Sequence, residues 1–158
     1  MLRANVVNAG KTGIGIQAYY DAWFDHYDYD TFDCIILWFG SAGMYDDLDT
    51  PGTESNAYCH MIEQIKLRSP NALIVLLNEF ATGGDLQATN DAINKIAAKY
   101  GLPVVDVSDL SQQSRPELHK GANNRHMGKA GYVYLAHRII TGVSEWLNED
   151  PLRCEFGY

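Results

Sequence analysis

The residues with the clearest chemical potential are Asn123-Asn124-Arg125-His126-Met127-Gly128-Lys129-Ala130-Gly131-Tyr132. They set a lone histidine, His126, on a polar loop that runs directly into a long amphipathic stretch near the C-terminus. An imidazole held at such a loop can take a proton from a nucleophile brought in by an earlier loop and return it to a leaving group. No convincing nucleophile precedes it. Whether the chain is an enzyme, part of one or a relic of one turns on that point.

The elements that must position His126 alternate between strand and helix. Four short β-like runs are expected at 5–8, 34–39 (Cys-Ile-Ile-Leu-Trp-Phe), 72–77 (Ala-Leu-Ile-Val-Leu-Leu) and 103–107. The second and third are apolar throughout, as strands covered on both faces are. Each run precedes a stripe of helical spacing. The first stripe is Ile16, Tyr19, Tyr20, Trp23, Phe24 and Tyr27, and the second is Tyr58, Met61, Ile62 and Ile65. The third is Ala92, Ile93, Ile96 and Tyr100, and the last is Tyr132, Leu135, Ala136, Ile139, Ile140, Val143 and Leu147. Gly101 sits at a helix C-cap position with Pro103 beyond it, and Ser69-Pro70-Asn71 closes the second helix. The pattern predicts a mostly parallel sheet in a three-layer α/β/α domain over residues 1–150, followed by an irregular tail over 151–158.

In such a sheet, ligands bind at the carboxyl ends of the strands. Loops rich in glycine and small polar residues are expected there at 8–13, 40–47, 78–84 and 107–126.

These loops carry a resemblance. Val6-Val7-Asn8-Ala9-Gly10-Lys11-Thr12-Gly13 is similar to the second conserved block of the SGNH/GDSL hydrolases. Asp33-Cys34-Ile35-Ile36-Leu37-Trp38-Phe39-Gly40-Ser41-Ala42-Gly43 resembles the third, an apolar strand ending in Gly-x-Asn-Asp. Asn123-Asn124-Arg125-His126 with Gly131-Tyr132 resembles the last, Asp-x-x-His before a helix that starts Gly-Tyr. The resemblance implies an SGNH/flavodoxin-like fold lacking its first strand and a serine ester hydrolase acting on a carbohydrate or other small acyl ester. It implies His126 as general base, Gly13 as an oxyanion N–H donor, and Gly40, Ser41 and Ala42 as the second oxyanion and substrate loop. Ala42 stands where the family has its oxyanion asparagine, Gly43 where an aspartate follows, and Asn123 where an aspartate orients the histidine. The Gly-Asp-Ser block that carries the nucleophile has no counterpart.

Losing one oxyanion donor costs roughly 3 kcal/mol of transition-state stabilisation. Losing the attacking hydroxyl removes the acyl-enzyme route. In the family the first strand lies between the second and third, so its absence leaves neighbouring edges unpaired. The missing segment is expected from a longer form of this protein or from a neighbouring polypeptide, with closure of a reduced sheet as the third option. A non-catalytic carbohydrate-binding or structural module derived from the same fold is the rival reading. An unrelated flavodoxin-like binding domain is a weaker third.

Composition narrows the partners. The net charge of -8 and pI near 4.9 argue against nucleic acid or an anionic membrane, because phosphate binding needs clustered cations. No apolar run approaches the roughly 18 residues of a membrane span, and 1–8 does not read as a signal peptide. Cys34, Cys59 and Cys154 form neither a CxxC metal site nor a disulfide framework, and Cys34 reads as a small buried hydrophobe. The aspartates Asp46, Asp47 and Asp49 lack a calcium-loop pattern, and the 8–13 loop lacks phosphate-loop spacing, so no metal and no cofactor is expected. Ser41 is a turn serine before it is a substitute nucleophile, because Gly-Ser-Ala-Gly is not a nucleophile elbow. Ser108, Ser111 and Ser114 carry no mark beyond loop chemistry. His26, His60, His119 and His137 read as structural or surface residues. The aromatic stripe Tyr20, Trp23, Phe24 and Tyr27 reads as core, with room for a homo-oligomer contact.

Overall fold

The computed structural model describes residues 5–41, 47–81, 85–121 and 126–149. Among them are three parallel strands, β1 (Cys34–Leu37), β2 (Leu73–Leu77) and β3 (Val104–Val105), in the order β1-β2-β3. Four α-helices accompany them: α1 (Ile16–Trp23), α2 (Glu54–Arg68), α3 (Leu86–Tyr100) and α4 (Lys129–Glu149). Cys34 pairs with Leu73 and Leu37 with Leu76 in one ladder, and Leu77 pairs with Val105 in the other.

Strand alternation divides the core in two. One cluster unites α1, α2 and α3 with Leu37, Ile74 and Leu76; the other sets Val75, Leu77, Val105 and Val107 against Leu118, Met127 and Leu135. The result is the expected α/β/α sandwich, with α2 and α3 as crossovers on one face and α4 on the other. Tyr58 is fully buried, and its hydroxyl donates to the carbonyl of Leu37 at 3.1 Å, tying α2 to the last residue of β1. Burial and the nearby Glu79 carboxylate hold that phenol well above its ordinary pKa, so it remains a donor.

Local signals explain the helix ends. The Thr53 hydroxyl accepts the Asn56 N–H at the start of α2, and the Asp85 carboxylate accepts the Ala88 N–H at the start of α3. Gly101 takes the left-handed conformation, φ 65°, and its N–H reaches the Ala97 and Ala98 carbonyls. The N-cap of α1, Gly15, has no side chain to offer. Glu54 acts instead, its carboxylate accepting the Ile16 N–H across the helix pair.

Three expectations need correction. Residues 5–8 form no strand, and Val6 and Val7 are 85% and 56% exposed. A strand exists through its ladder, and no described strand lies beside this segment. Cys34 is exposed rather than buried, and Ile36 on the same face is 48% exposed. The last apolar stripe is only half buried: Leu135 is enclosed, whereas Tyr132, Ala136 and Ile140 face outward. The last two departures share one cause. Among the described residues, the helix α4 packs on β3 and not on the outer part of the same sheet face, where Cys34 and Ile36 of β1 are exposed. The tail 151–158 lies outside the described residues, as does Cys154. Among the described residues, no helix is long and apolar enough to cross a membrane.

Candidate functional site

Because the strands are parallel, residues following β1, β2 and β3 share one rim of the sheet. Gly40 and Ser41 follow β1, Asn78 and Glu79 follow β2, and Asp106 to Ser108 follow β3. Gly40 is buried at φ 141°, and an added Cβ would lie 2.8 Å from Glu79 Cγ and 3.0 Å from Thr89 Cγ2. Only glycine fits there, so the loop is pressed onto the tip of β2. Ser41 is exposed beside it.

Two side chains just before Gly40 receive the other candidate loops, one on each face of the sheet. Phe39 meets the Tyr19 ring edge-on at 5.3 Å, and the Tyr19 hydroxyl donates to the Ala9 carbonyl at 3.2 Å. Burial pushes the Tyr19 phenol up to about 12, so it stays a donor. This contact anchors the 8–13 loop, which Asn8 shapes by accepting the Gly10 N–H at 3.0 Å. Gly13 sits in an exposed turn at φ 68° with open space around it, a conformation that favours glycine. Lys11 lies over the Trp23 ring at 3.9 Å.

On the opposite face, Trp38 packs against Phe80, and Phe80 against the ring of His119, each at 5.7 Å. His119 is buried, and its Nε2 pairs with the Leu110 carbonyl at 2.9 Å. A carbonyl accepts, so Nε2 carries the proton. His119 is therefore structural: it seats the segment that turns back to present His126. His119 and Met127 form an antiparallel bridge, the Lys120 N–H donates to the His126 carbonyl at 3.0 Å, and the Gly128 N–H donates to the Leu118 carbonyl at 2.8 Å. His126 itself is exposed at the mouth of this clamp, one turn before α4.

Gly40 and Ser41 thus lie at the rim itself, while Phe39 is linked through Tyr19 to the 8–13 loop that holds Gly13, and Trp38 through Phe80 to His119 of the clamp before His126. Ala42 and Asn123 lie outside the described residues, as does Gly43. Of the aspartate cluster, Asp46 lies outside the described residues, and Asp47 shapes a turn by accepting the N–H groups of Asp49 and Thr50 at 3.1 and 2.9 Å.

Sequence reading missed a second polar network on this rim. Asp106 Oδ1 accepts from Asn78 Nδ2 (3.0 Å), Ser108 N (2.9 Å) and Ser108 Oγ (2.7 Å), while Asn78 Oδ1 accepts from Val107 N (2.8 Å). Burial raises the Asp106 pKa, but these donors and the charge of Arg138 outweigh it and hold the carboxyl below its ordinary value. Nearby, Asn90 grips the Glu79 backbone, accepting its N–H at 2.7 Å and donating to its carbonyl at 2.9 Å. A groove of about 380 Å³ lies over these groups. The one available signal was Asp106 itself, a charged residue breaking the apolar run 103–107.

The structure is an open parallel α/β sheet, and in such sheets ligands bind at the carboxyl ends of the strands. The chain belongs to the GDSL-like Lipase/Acylhydrolase family, whose model matches residues 1–134. A solved crystal structure is similar with a TM-score of 0.62 and 22% sequence identity, over 77% of this chain and 68% of that chain, a likeness of fold. A search of curated proteins found no match.

Proposed function

We propose that this chain is the histidine-bearing part of a serine ester hydrolase that deacylates a carbohydrate or other small acyl ester, its attacking serine coming from a segment outside the chain. The observation that supports this reading is the backbone clamp of 118–120 on 126–128, which fixes the exposed His126 just before α4. In the proposed reaction the serine hydroxyl attacks the ester carbonyl while His126 accepts its proton. The Gly13 N–H and the serine's own N–H hold the oxyanion, with the Gly40-Ser41-Ala42 loop beside it. His126 then returns the proton to the departing alcohol, and water repeats the cycle on the acyl-enzyme. Asn123 takes the place of the orienting aspartate.

The uncovered sheet face supports the origin assigned to the serine. Among the described residues the outer edge of β1 has no strand partner, and Cys34 and Ile36 are exposed beside it. A strand ending in Gly-Asp-Ser and laid along that edge would pair the free backbone groups and deliver its serine to the rim. Hydrolysis of p-nitrophenyl acetate by the chain joined to such a segment tests the reading, with His126→Ala expected to lower the rate by about 10³-fold or more. Hydrolysis indifferent to that substitution would end the mechanism.

The residues Ala42, Gly43 and Asn123 favour one alternative, a non-catalytic carbohydrate-binding or structural module, since three positions that the resemblance assigns to chemistry have changed. Absence of any fluorophosphonate labelling in the completed protein would select the module.

A further inference from the structure

The groove over the tips of β2 and β3 has a lining unlike an ordinary apolar pocket. One wall is a stripe of amides on α3, Gln87, Asn90 and Asn94, at the i, i+3 and i+7 spacing that places them on one helix face. The facing wall is Asn78, Asp106 and Ser108. Two of these side chains are locked. Asn90, 7% exposed, is fixed at both ends by the Glu79 backbone, and Asn78 is fixed between Asp106 and Val107.

Asp106 is held asymmetrically. All three of its hydrogen bonds converge on Oδ1, and none of the described hydrogen bonds reaches Oδ2. A carboxylate oxygen has room for about two donors. The unspent oxygen thus belongs to a carboxylate oriented by three donors, which avoids most of the ordering cost of binding.

The chemistry of the lining selects the ligand class. Among the described residues that line the groove none is cationic, which disfavours phosphates and carboxylates. It holds one carboxylate, and no cluster of three metal-ligating side chains exists among the described residues, which disfavours a hard cation. Amide groups both donate and accept, and a carboxylate accepts, so the complementary partner is neutral with several hydroxyls. We propose that this groove binds a neutral sugar, with Asp106 Oδ2, the Asn94 amide and the side-chain oxygen of Gln87 as its hydrogen-bonding partners, the Gln87 Nε2 being engaged by Asp91 at 2.8 Å. The proposal rests on the ester-hydrolase reading only for its role, which is to seat the alcohol part of the ester. His119 ties the Ser108–Leu110 turn to the clamp that carries His126, through the Leu110 carbonyl at 2.9 Å. The Ser108 side of the groove is therefore linked to the clamp before His126.

The test is a nuclear magnetic resonance titration of the ¹⁵N-labelled chain with cellobiose and, separately, xylobiose. The side-chain amide signals of Gln87 and Asn94 and the backbone amide of Ser108 should move together, with one dissociation constant of about millimolar size. Asp106→Asn and Asn94→Ala should each weaken binding about fivefold, the size of one lost hydrogen bond. Asn94 is exposed, so its removal leaves the fold intact. Failure of both disaccharides to shift these signals at about 100 mM, far above a millimolar constant, would overturn the proposal, as would unchanged affinity in both variants. The readout needs no nucleophile. A failed titration therefore leaves the hydrolase reading standing, and a failed catalytic assay leaves the groove standing.

Discussion

Replacing Gly131 by alanine probes the seat of the histidine clamp most sharply. A Cβ at this position would lie 2.2 Å from the Leu118 carbonyl oxygen, 3.1 Å from its carbon and 3.0 Å from Met127 Cβ. Comfortable carbon contacts begin near 3.5 Å, so α4 must retreat from the 116–118 turn by about 1 Å. The obstacle is backbone and has no rotamer to swing aside. Overpacking of this kind costs about 1–3 kcal/mol, and a rigid obstacle puts it at the upper end. Alanine returns about 1 kcal/mol of helix propensity. The expected net loss is about 2 kcal/mol, or a drop of roughly 4–8 °C in melting temperature for a chain of this size. Gly142 on the same helix is the internal control. The nearest atoms to its added Cβ would be side-chain atoms of Val105, Cγ2 at 3.0 Å, Cγ1 at 3.2 Å and Cβ at 3.6 Å. Overpacking and propensity should nearly cancel there, within about 1 kcal/mol. Thermal and urea melts followed by circular dichroism read both variants. The Gly128 amide, which donates to the same Leu118 carbonyl at 2.8 Å, should exchange with solvent faster in Gly131→Ala. A Gly131→Ala protein as stable as its parent, with Gly128 still protected, would refute the packing on which the placement of His126 depends.

Other perturbations follow from the same geometry. Tyr58→Phe leaves the buried end of β1 without its donor and should cost about 1–2 kcal/mol in urea unfolding, with no change in the slope of the transition. Glu54→Ala removes the borrowed cap of α1 and should cost about 1 kcal/mol, while raising proteolysis within the 8–13 loop that α1 anchors through Tyr19. Asp106 has a folded-state pKa below its unfolded one, so its contribution is fully present above about pH 4 and is lost as pH falls through the lower folded value. Asp106→Asn should accordingly flatten the acid limb of the stability profile below about pH 4 and leave its neutral region parallel to that of the parent.

The alternation of strands and helices was legible because both physical periods stand out: apolar runs at 34–39 and 72–77, and stripes such as Tyr58, Met61, Ile62 and Ile65. Capping residues with a single physical role, such as Gly101, were legible for the same reason. What was not legible depends on neighbours distant in sequence. Val6 and Val7 have strand-like side chains, but their ladder requires an edge that nothing local announces. Ile140 lies in a helical stripe and is nonetheless exposed, because α4 is wider in apolar residues than the part of the sheet it covers. His126 and Gly13 were marked as site candidates through local motif spacing. His119, read as one histidine among four, holds the clamp through a carbonyl nine residues upstream. The Asn78–Asp106 pair joins tips of strands 28 residues apart, a juxtaposition that only parallel topology creates.

The central claim is that the clamp presents His126 to a serine belonging to another segment. Mass-spectrometric mapping of the fluorophosphonate adduct tests it most directly, in a preparation where this chain is joined to a strand ending in Gly-Asp-Ser. The account predicts a single adduct on the serine of that motif, lost when His126 is replaced by alanine. An adduct on Ser41, Ser108 or any other serine within residues 1–158, or labelling indifferent to His126, would contradict it.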